Sequence, residues 1–222
     1  MTDRPMSHES LTQKAYEELK SRIIRMELHS GVLMTESRIA EDLGMGRTPV
    51  REAIQKLKHE GFVKVIPRKG VMVSSLSADE VRSIYEMADG LEGMTARLAA
   101  ERASQNEINE LNSIVYEMKR ALAANDMQAW VQADDAFHAQ ILKISGNSHI
   151  TEAMELIEGL VSRVRMILVQ VKGLPGKSTN EHEQIARMIS ERRGNDARDA
   201  IQRHHQRVRE DIVATIQRLK WI

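Results

Sequence analysis

Cysteine is absent from this 222-residue chain. That excludes disulfides, thiolate nucleophiles and thiolate metal ligands, so any metal site must be assembled from His, Asp and Glu. No apolar run reaches the roughly 20 residues a membrane-spanning helix needs, and the opening "MTDRPMSHES" lacks the apolar core of a signal peptide. The expectation is a cytoplasmic protein with no membrane partner. Aromatics are scarce, two Trp, three Tyr and two Phe against thirteen Met; this suits an adaptable helical core rather than a surface for stacking nucleobases. No internal repeat or low-complexity segment is present. Net charge is missing too, because 32 Lys and Arg balance 32 Asp and Glu.

The balance fails locally. Up to Ser75 the chain holds 13 basic and 10 acidic residues, and the remainder 19 and 22. Nearly all the positive excess lies in "GMGRTPVREAIQKLKHEGFVKVIPRKGVMV", Gly44 to Val73, with seven basic residues against two acidic. A charge run is ordinarily a solvated face; here the surrounding elements favour nucleic acid. Apolar spacing predicts a helix from Leu11 to about Met26, broken by "HSG", and a short one from Glu36 to Leu43 behind a Thr35 N-cap, ended by Gly44. Thr48 and Pro49 read as N-cap and first residue of a third helix, which runs to about His59 on a stripe of Val50, Ala53, Ile54 and Leu57. "FVKVI", "PRKG" and "VMVS" then read as a β-hairpin with Arg68 and Lys69 at its tip.

Three helices and a basic hairpin make a winged helix-turn-helix over residues 10–75, behind a flexible tail over 1–9. In such a unit the N-terminal turn of the second helix of the motif enters the major groove, where a guanidinium meets guanine O6 and N7 in two parallel bonds. Arg47 and Arg51 stand at that N-terminus. Lys56, Lys58, Arg68 and Lys69 suit phosphate or wing contacts, which set affinity and register.

Residues 76–222 read as an all-α antiparallel bundle of six helices. Capping boxes at Ser77/Glu80, Ser104/Glu107 and Ser178/Glu181 open three of them, a third helix runs from Met127 to Ile144, and a fourth from Ile150 to Val171. Polar residues interrupt the apolar stripes. Asp134 and His138, one turn apart, lie at the centre of a stripe of Met127, Trp130, Val131, Phe137 and Ile141. His182 shares a face with Ile185, Ala186 and Ile189, and His204 or His205 shares one with Ile201, Val208 and Ile212. An ionised Asp facing a core is costly unless paired or metal-bound. A lone inward His is usually a satisfied core residue, but Asp134, His138, His182 and one of His204 or His205 together would give one O and three N ligands. That set suits Zn²⁺ first, with Ni²⁺, Mn²⁺ or Fe²⁺ as alternatives.

The string "TESRIAEDLGMGRTPVREAIQKLKHEGFVKVIPRKGVMV" resembles the DNA-binding domain of the GntR family of bacterial transcription regulators, with "RTPVREA" and the wing "KG" as its specific parts. The resemblance implies that Arg38, Arg47, Thr48 and Arg51 contact DNA from the helices and Lys69 and Gly70 from the wing; Gly46 stands where Ser or Thr is frequent. "DDAFHAQILKISGN", "EHEQIARMI" and "RDAIQRHH" resemble the FCD-type helical effector domain of the same family. That resemblance implies a divalent metal on Asp134, His138, His182 and His204 at the floor of an effector cavity, with open positions for a small ligand, commonly a carboxylate. Where such domains often carry an arginine before "LEG", this chain has Ala88 and Asp89. Arg97, Asn147 and Arg163 are the candidates for the cavity's polar lining; Arg163 and Arg165, two apart, are expected at the surface or a helix interface rather than both inward.

The whole implies a metabolite-responsive regulator, not an enzyme, that binds a pseudo-palindromic double-stranded operator as a homodimer. The alternatives are a DNA-binding protein with a purely structural metal, and a metal-dependent enzyme carrying a DNA-binding domain. Neither a Gly-rich phosphate loop nor a nucleophile motif supports the latter.

Overall fold

The structure, a computed structural model, describes residues 10–219. The tail expected over 1–9, with His8, and the last residues 220–222 lie outside the described residues. The chain divides into two compact units, Met1–Ser75 and Leu76–Ile222.

In the first unit, helix α1 (Leu11–Ile24), strand β1 (Leu33–Met34), helices α2 (Glu36–Leu43) and α3 (Arg47–His59), and strands β2 (Val63–Ile66) and β3 (Gly70–Val73) follow in order. The hairpin β2–β3 is antiparallel, Val65 opposite Val71, and β1 adds to the free side of β3, giving the order β1-β3-β2. Strand β1 is too short for its alternation to be read in sequence. Ala15, Leu19 and Ile23 of α1 meet Val50, Ala53, Ile54 and Leu57 of α3, all buried. Each fully buried Ile or Leu contributes about 1.5–3 kcal/mol over its exposed state.

Two local features set the shape of α3 and of the β2–β3 hairpin, the wing. Helix α3 starts at Arg47, with Gly46 as N-cap, rather than at Pro49 with Thr48 as cap. Pro49 still sits in the first turn, where a missing N–H forfeits no intrahelical bond, so the helix reaches back over Arg47 and Thr48. At the wing, Lys69 N–H donates to the Ile66 carbonyl at 3.0 Å and Arg68 takes φ +62°. Gly70 follows at φ +127°, and a Cβ there would drive into the Met34 carbonyl oxygen. Only glycine lets β1 and β3 close at this point.

The second unit is helical throughout: α4 (Ala78–Arg102), α5 (Gln105–Ala124), α6 (Met127–Ser145), α7 (Ser148–Glu155), α8 (Glu158–Lys172), α9 (Gly176–Ser190) and α10 (Gly194–Leu219). The expected boxes are present at Ser77/Glu80 and Ser104/Glu107. Helices α4 and α10 pack along each other, α4 also on α6, α5 on α6 and α9, and α9 on α10. No helix among the described residues is long and apolar enough to cross a membrane.

Two expectations change here. The helix read over 150–171 is two, because Ile157 leaves helical geometry (φ −121°, ψ −15°), and Met154 and Ile157 on either side of the break both become buried. Periodicity runs straight through so short an irregularity. Ser178 does not open a helix. Helix α9 already begins at Gly176, and the buried Ser178 Oγ accepts from Arg207 Nη2 at 2.7 Å.

Candidate functional site

On the first unit, Arg47, Thr48 and Arg51 are exposed at the start of α3, Arg38 on α2, and Lys69 at the wing tip. Arg51 Nε donates to Glu36 Oε2 at 3.0 Å, and Arg38 Nε lies 3.0 Å from Asp42 Oδ1. Exposed pairs of this kind are worth at most about 1 kcal/mol, so both guanidinia can be given up to a stronger anion. Lys56 is partly engaged, its Nζ 5.6 Å from the centre of the Tyr16 ring. Gly70, by contrast, has a backbone reason for being there that is independent of any contact.

In the second unit three buried histidines converge, and a buried aspartate adjoins them. Helix α6 presents Asp134 and His138 from one face, α9 presents His182, and α10 presents His204; the four are 2%, 7%, 0% and 4% exposed. His182 Nε2 and His204 Nε2 are 3.3 Å apart. His182 Nδ1 lies 3.4 Å from Asp134 Oδ1, and His138 Nε2 4.0 Å from Asp134 Oδ2. Phe137 stacks on the His182 ring at 4.5 Å between centroids, closing one side against the core. Burial first, then the neighbouring imidazoles and Arg165, hold His182 and His204 well below the usual imidazole range. They are therefore neutral, the form a metal requires. Asp134 is pushed up by burial against the pull of Arg165, whose Nε is 2.8 Å from Asp134 Oδ2, and of His138.

The donor set fits a divalent ion. His138 Nε2 is buried and makes no hydrogen bond, and imidazole nitrogens bound tetrahedrally at about 2.0–2.1 Å would stand about 3.3–3.4 Å apart. The far nitrogens are held by carboxylates. His204 Nδ1 is 2.8 Å from Glu181 Oε2, and Glu181 in turn accepts from Arg207 Nε at 2.8 Å. His138 Nδ1 meets Glu92 Oε2. A carboxylate on the second ring nitrogen fixes the tautomer and aims the first nitrogen at the ion.

His205 is also buried, at 2%, but it faces elsewhere, with Nε2 3.3 Å from Glu92 Oε2. Packing separates the two histidines that periodicity left as alternatives: His204 groups with His138 and His182, His205 with Glu92 and His138. Glu92 and Glu181 were missed in sequence. Glu92 falls four and eight residues after the buried Ala88 and Ile84, a signal that could have found it; Glu181 was read as the partner of Ser178 in a capping box, whereas it lies within α9.

A cavity of about 60 Å³ opens beside this group, lined by Asp134, Arg165, Lys172, His204 and Arg207 with Trp130 and Val208 among its apolar wall. A smaller one, about 20 Å³, touches Glu92, His138, Asp135 and Arg165. None of the expected lining residues reaches either. Arg97 is half-exposed beside Glu101, and Asn147 caps α7 by accepting from Ile150 N–H at 3.3 Å. Arg163 is 2% exposed, and burial lowers its guanidinium to about 10 against the pull of Glu80. Both Arg163 and Arg165 turn inward despite lying two apart, because α8 is enclosed around nearly its whole circumference from Val161 to Ile167. Arg165, with Nη1 donating to Asp135 Oδ1 at 2.7 Å, is the arginine that lines both cavities.

Residues 11–73 match the model of the bacterial regulatory proteins, gntR family, and residues 83–207 that of the FCD domain. An uncharacterized HTH-type transcriptional regulator of Agrobacterium vitis, from the TAR-I ttuE-ttuC' intergenic region, is 35% identical over 131 residues, 58% of this chain and 77% of that one. The HTH-type transcriptional repressor RspR of Escherichia coli is 23% identical across 91% of this chain and 89% of its own. Among solved structures, E. coli McbR/YncC superposes with a TM-score of 0.81 at 20% identity, covering 96% of this chain and 99% of that one, which speaks to the fold alone. The chain belongs to the GntR family of bacterial regulatory proteins and is a transcription regulator whose helical second unit is an FCD domain.

Proposed function

We propose that the protein binds a pseudo-palindromic operator as a homodimer and releases or tightens it in response to a small anionic metabolite held beside a divalent metal. Residues 10–75 are the DNA-binding domain and 76–222 the effector-binding and dimerisation domain. Arg47 and Arg51 read bases; Arg38, Thr48, Lys69 and Gly70 contact the backbone or the wing's groove. Two-fold symmetry would set the two recognition helices about one turn of DNA apart.

The observation that carries the effector reading is the grouping of His138, His182 and His204, with Asp134 against His182 and His138, beside a cavity walled by Arg165, Lys172 and Arg207. The four residues hold the metal, Zn²⁺ first, which when bound supplies positive charge and open coordination positions. The three cations orient an anion beside it, and their number restores the basic character that Asp89 removes from α4. A cavity of about 60 Å³ favours a small carboxylate. Coupling to DNA follows if the two DNA-binding conformations differ in affinity for that ligand.

Purified protein used to capture host genomic fragments at near-physiological salt tests the reading. Enrichment of one or a few palindromic sites supports it, and their neighbouring genes name the metabolite class. Capture without sequence preference, with metal present and absent, would end it.

A further inference from the structure

His205 has no assignment in the reading above, and its surroundings are unusual. It is 2% exposed, yet neither ring nitrogen makes a hydrogen bond. A buried polar group left this way costs on the order of 1–3 kcal/mol. Two carboxylates face it: Glu92 Oε2 is 3.3 Å from Nε2, and Asp89 Oδ1 is 4.0 Å from Nδ1. Asp89 Oδ1 is itself a buried atom without a donor. The guanidinium closest in role, Arg165, is already engaged by Asp134 and Asp135.

Glu92 Oε2 is shared. It meets His205 from one side and His138 Nδ1 from the other, and Glu92, His138 and His205 offer ligand atoms within 4.8 Å of one another, all buried. The His138 and His205 rings stack at 5.7 Å between centroids, 23° from parallel. The two nitrogens of His138 therefore look opposite ways, Nε2 toward Asp134 and Nδ1 toward Glu92.

We infer that Glu92, His205 and the Nδ1 side of His138, with Asp89 at its edge, form a second divalent-cation site that shares His138 with the first. A cation there bridges Glu92 and the His205 Nε2 that faces it across 3.3 Å. Two imidazole nitrogens with carboxylate oxygen select a first-row transition metal or zinc over Mg²⁺ or Ca²⁺. Coordination through both nitrogens requires His138 to give its remaining ring proton to solvent. The first site ties α6, α9 and α10 together; the second ties α4 to α6 and α10. The inference rests on the first-site reading only through His138.

Chelator-stripped full-length protein, dialysed against excess Zn²⁺ and analysed for bound zinc, tests it. The wild type is expected to hold two ions per chain, and His205→Gln and Glu92→Gln, which nearly preserve volume, one each. His182→Ala should also hold one, and His182→Ala with His205→Gln almost none, with circular dichroism confirming that every variant is folded. One ion in the wild type, kept by His205→Gln and lost by His182→Ala, overturns the second site and leaves the first standing. The reverse pattern overturns the first and leaves the second, and a wild type without zinc overturns both.

Discussion

His182 Nε2 and His204 Nε2 face each other across 3.3 Å, one on α9 and one on α10. One neutral imidazole can donate to the other along that line, whereas a cation between them engages the lone pairs of both. Zn²⁺ at about 100-fold above its dissociation constant should therefore stabilise the protein by about 2.7 kcal/mol. For a chain of this size that is roughly 5–10 °C in Tm. Calorimetry with Zn²⁺ and with chelator reads the difference, and His182→Ala should reduce it.

Glu181 accepts from Arg207 and holds His204 Nδ1. Glu181→Gln should lower zinc affinity by about 10- to 100-fold while the fold is kept. Competition with a chelator of known affinity measures this. Unchanged affinity would reduce Glu181 to a surface partner of Arg207.

Arg47 and Lys69 should separate by what they read. Arg47→Ala should cost about 1–3 kcal/mol on the cognate operator, roughly 5- to 150-fold, and relax the preference at one base pair. Lys69→Ala should weaken all sequences alike and reduce the slope of log affinity against log salt by about one. Fluorescence anisotropy on operator and scrambled duplexes at several salt concentrations distinguishes the two.

Gly70→Ala is predicted to act through folding before DNA. With φ at +127° and the Met34 carbonyl in the way, it should destabilise the first unit by more than about 1 kcal/mol. A lowered denaturation midpoint without DNA present is the readout. Full stability with lost DNA binding would make Gly70 a contact residue instead.

Asp211 supplies a pH test away from the metal ligands. Burial raises its carboxyl, but Lys172 at 2.6 Å and Arg207 at 3.2 Å outweigh this and carry it below the usual range. A depressed folded value means the contribution is complete above the unfolded value of about 3.9 and is lost as pH falls through the folded one. The pair is partly exposed, so the effect is under about 1 kcal/mol. Asp211→Asn should flatten the acid limb of a stability–pH curve below about pH 4 and lower neutral stability by that same small amount.

Local chemistry made the first unit almost fully readable. Thr35 and Gly44 cap α2 as their side-chain oxygen and glycine backbone dictate, and the apolar stripes of α1 and α3 are the ones buried. The start of α3 was misplaced by two residues because proline is tolerated anywhere in a first turn. In the second unit, the inward direction of Asp134, His138 and His182 followed from 3.6-residue periodicity. Their meeting did not, since that depends on how α6, α9 and α10 are packed.

By itself, the sequence determined the helical content, most caps, the basic recognition segment and the residue types a metal would need, because each is written within a turn or two of chain. Tertiary structure alone decided that His204 rather than His205 faces His182, that Glu92 and Glu181 stand behind the histidines, and that Arg165 rather than Arg97 or Arg163 lines the cavities. Those choices turn on contacts between residues tens of positions apart. Periodicity says which side of a helix is buried, but only packing says what it is buried against.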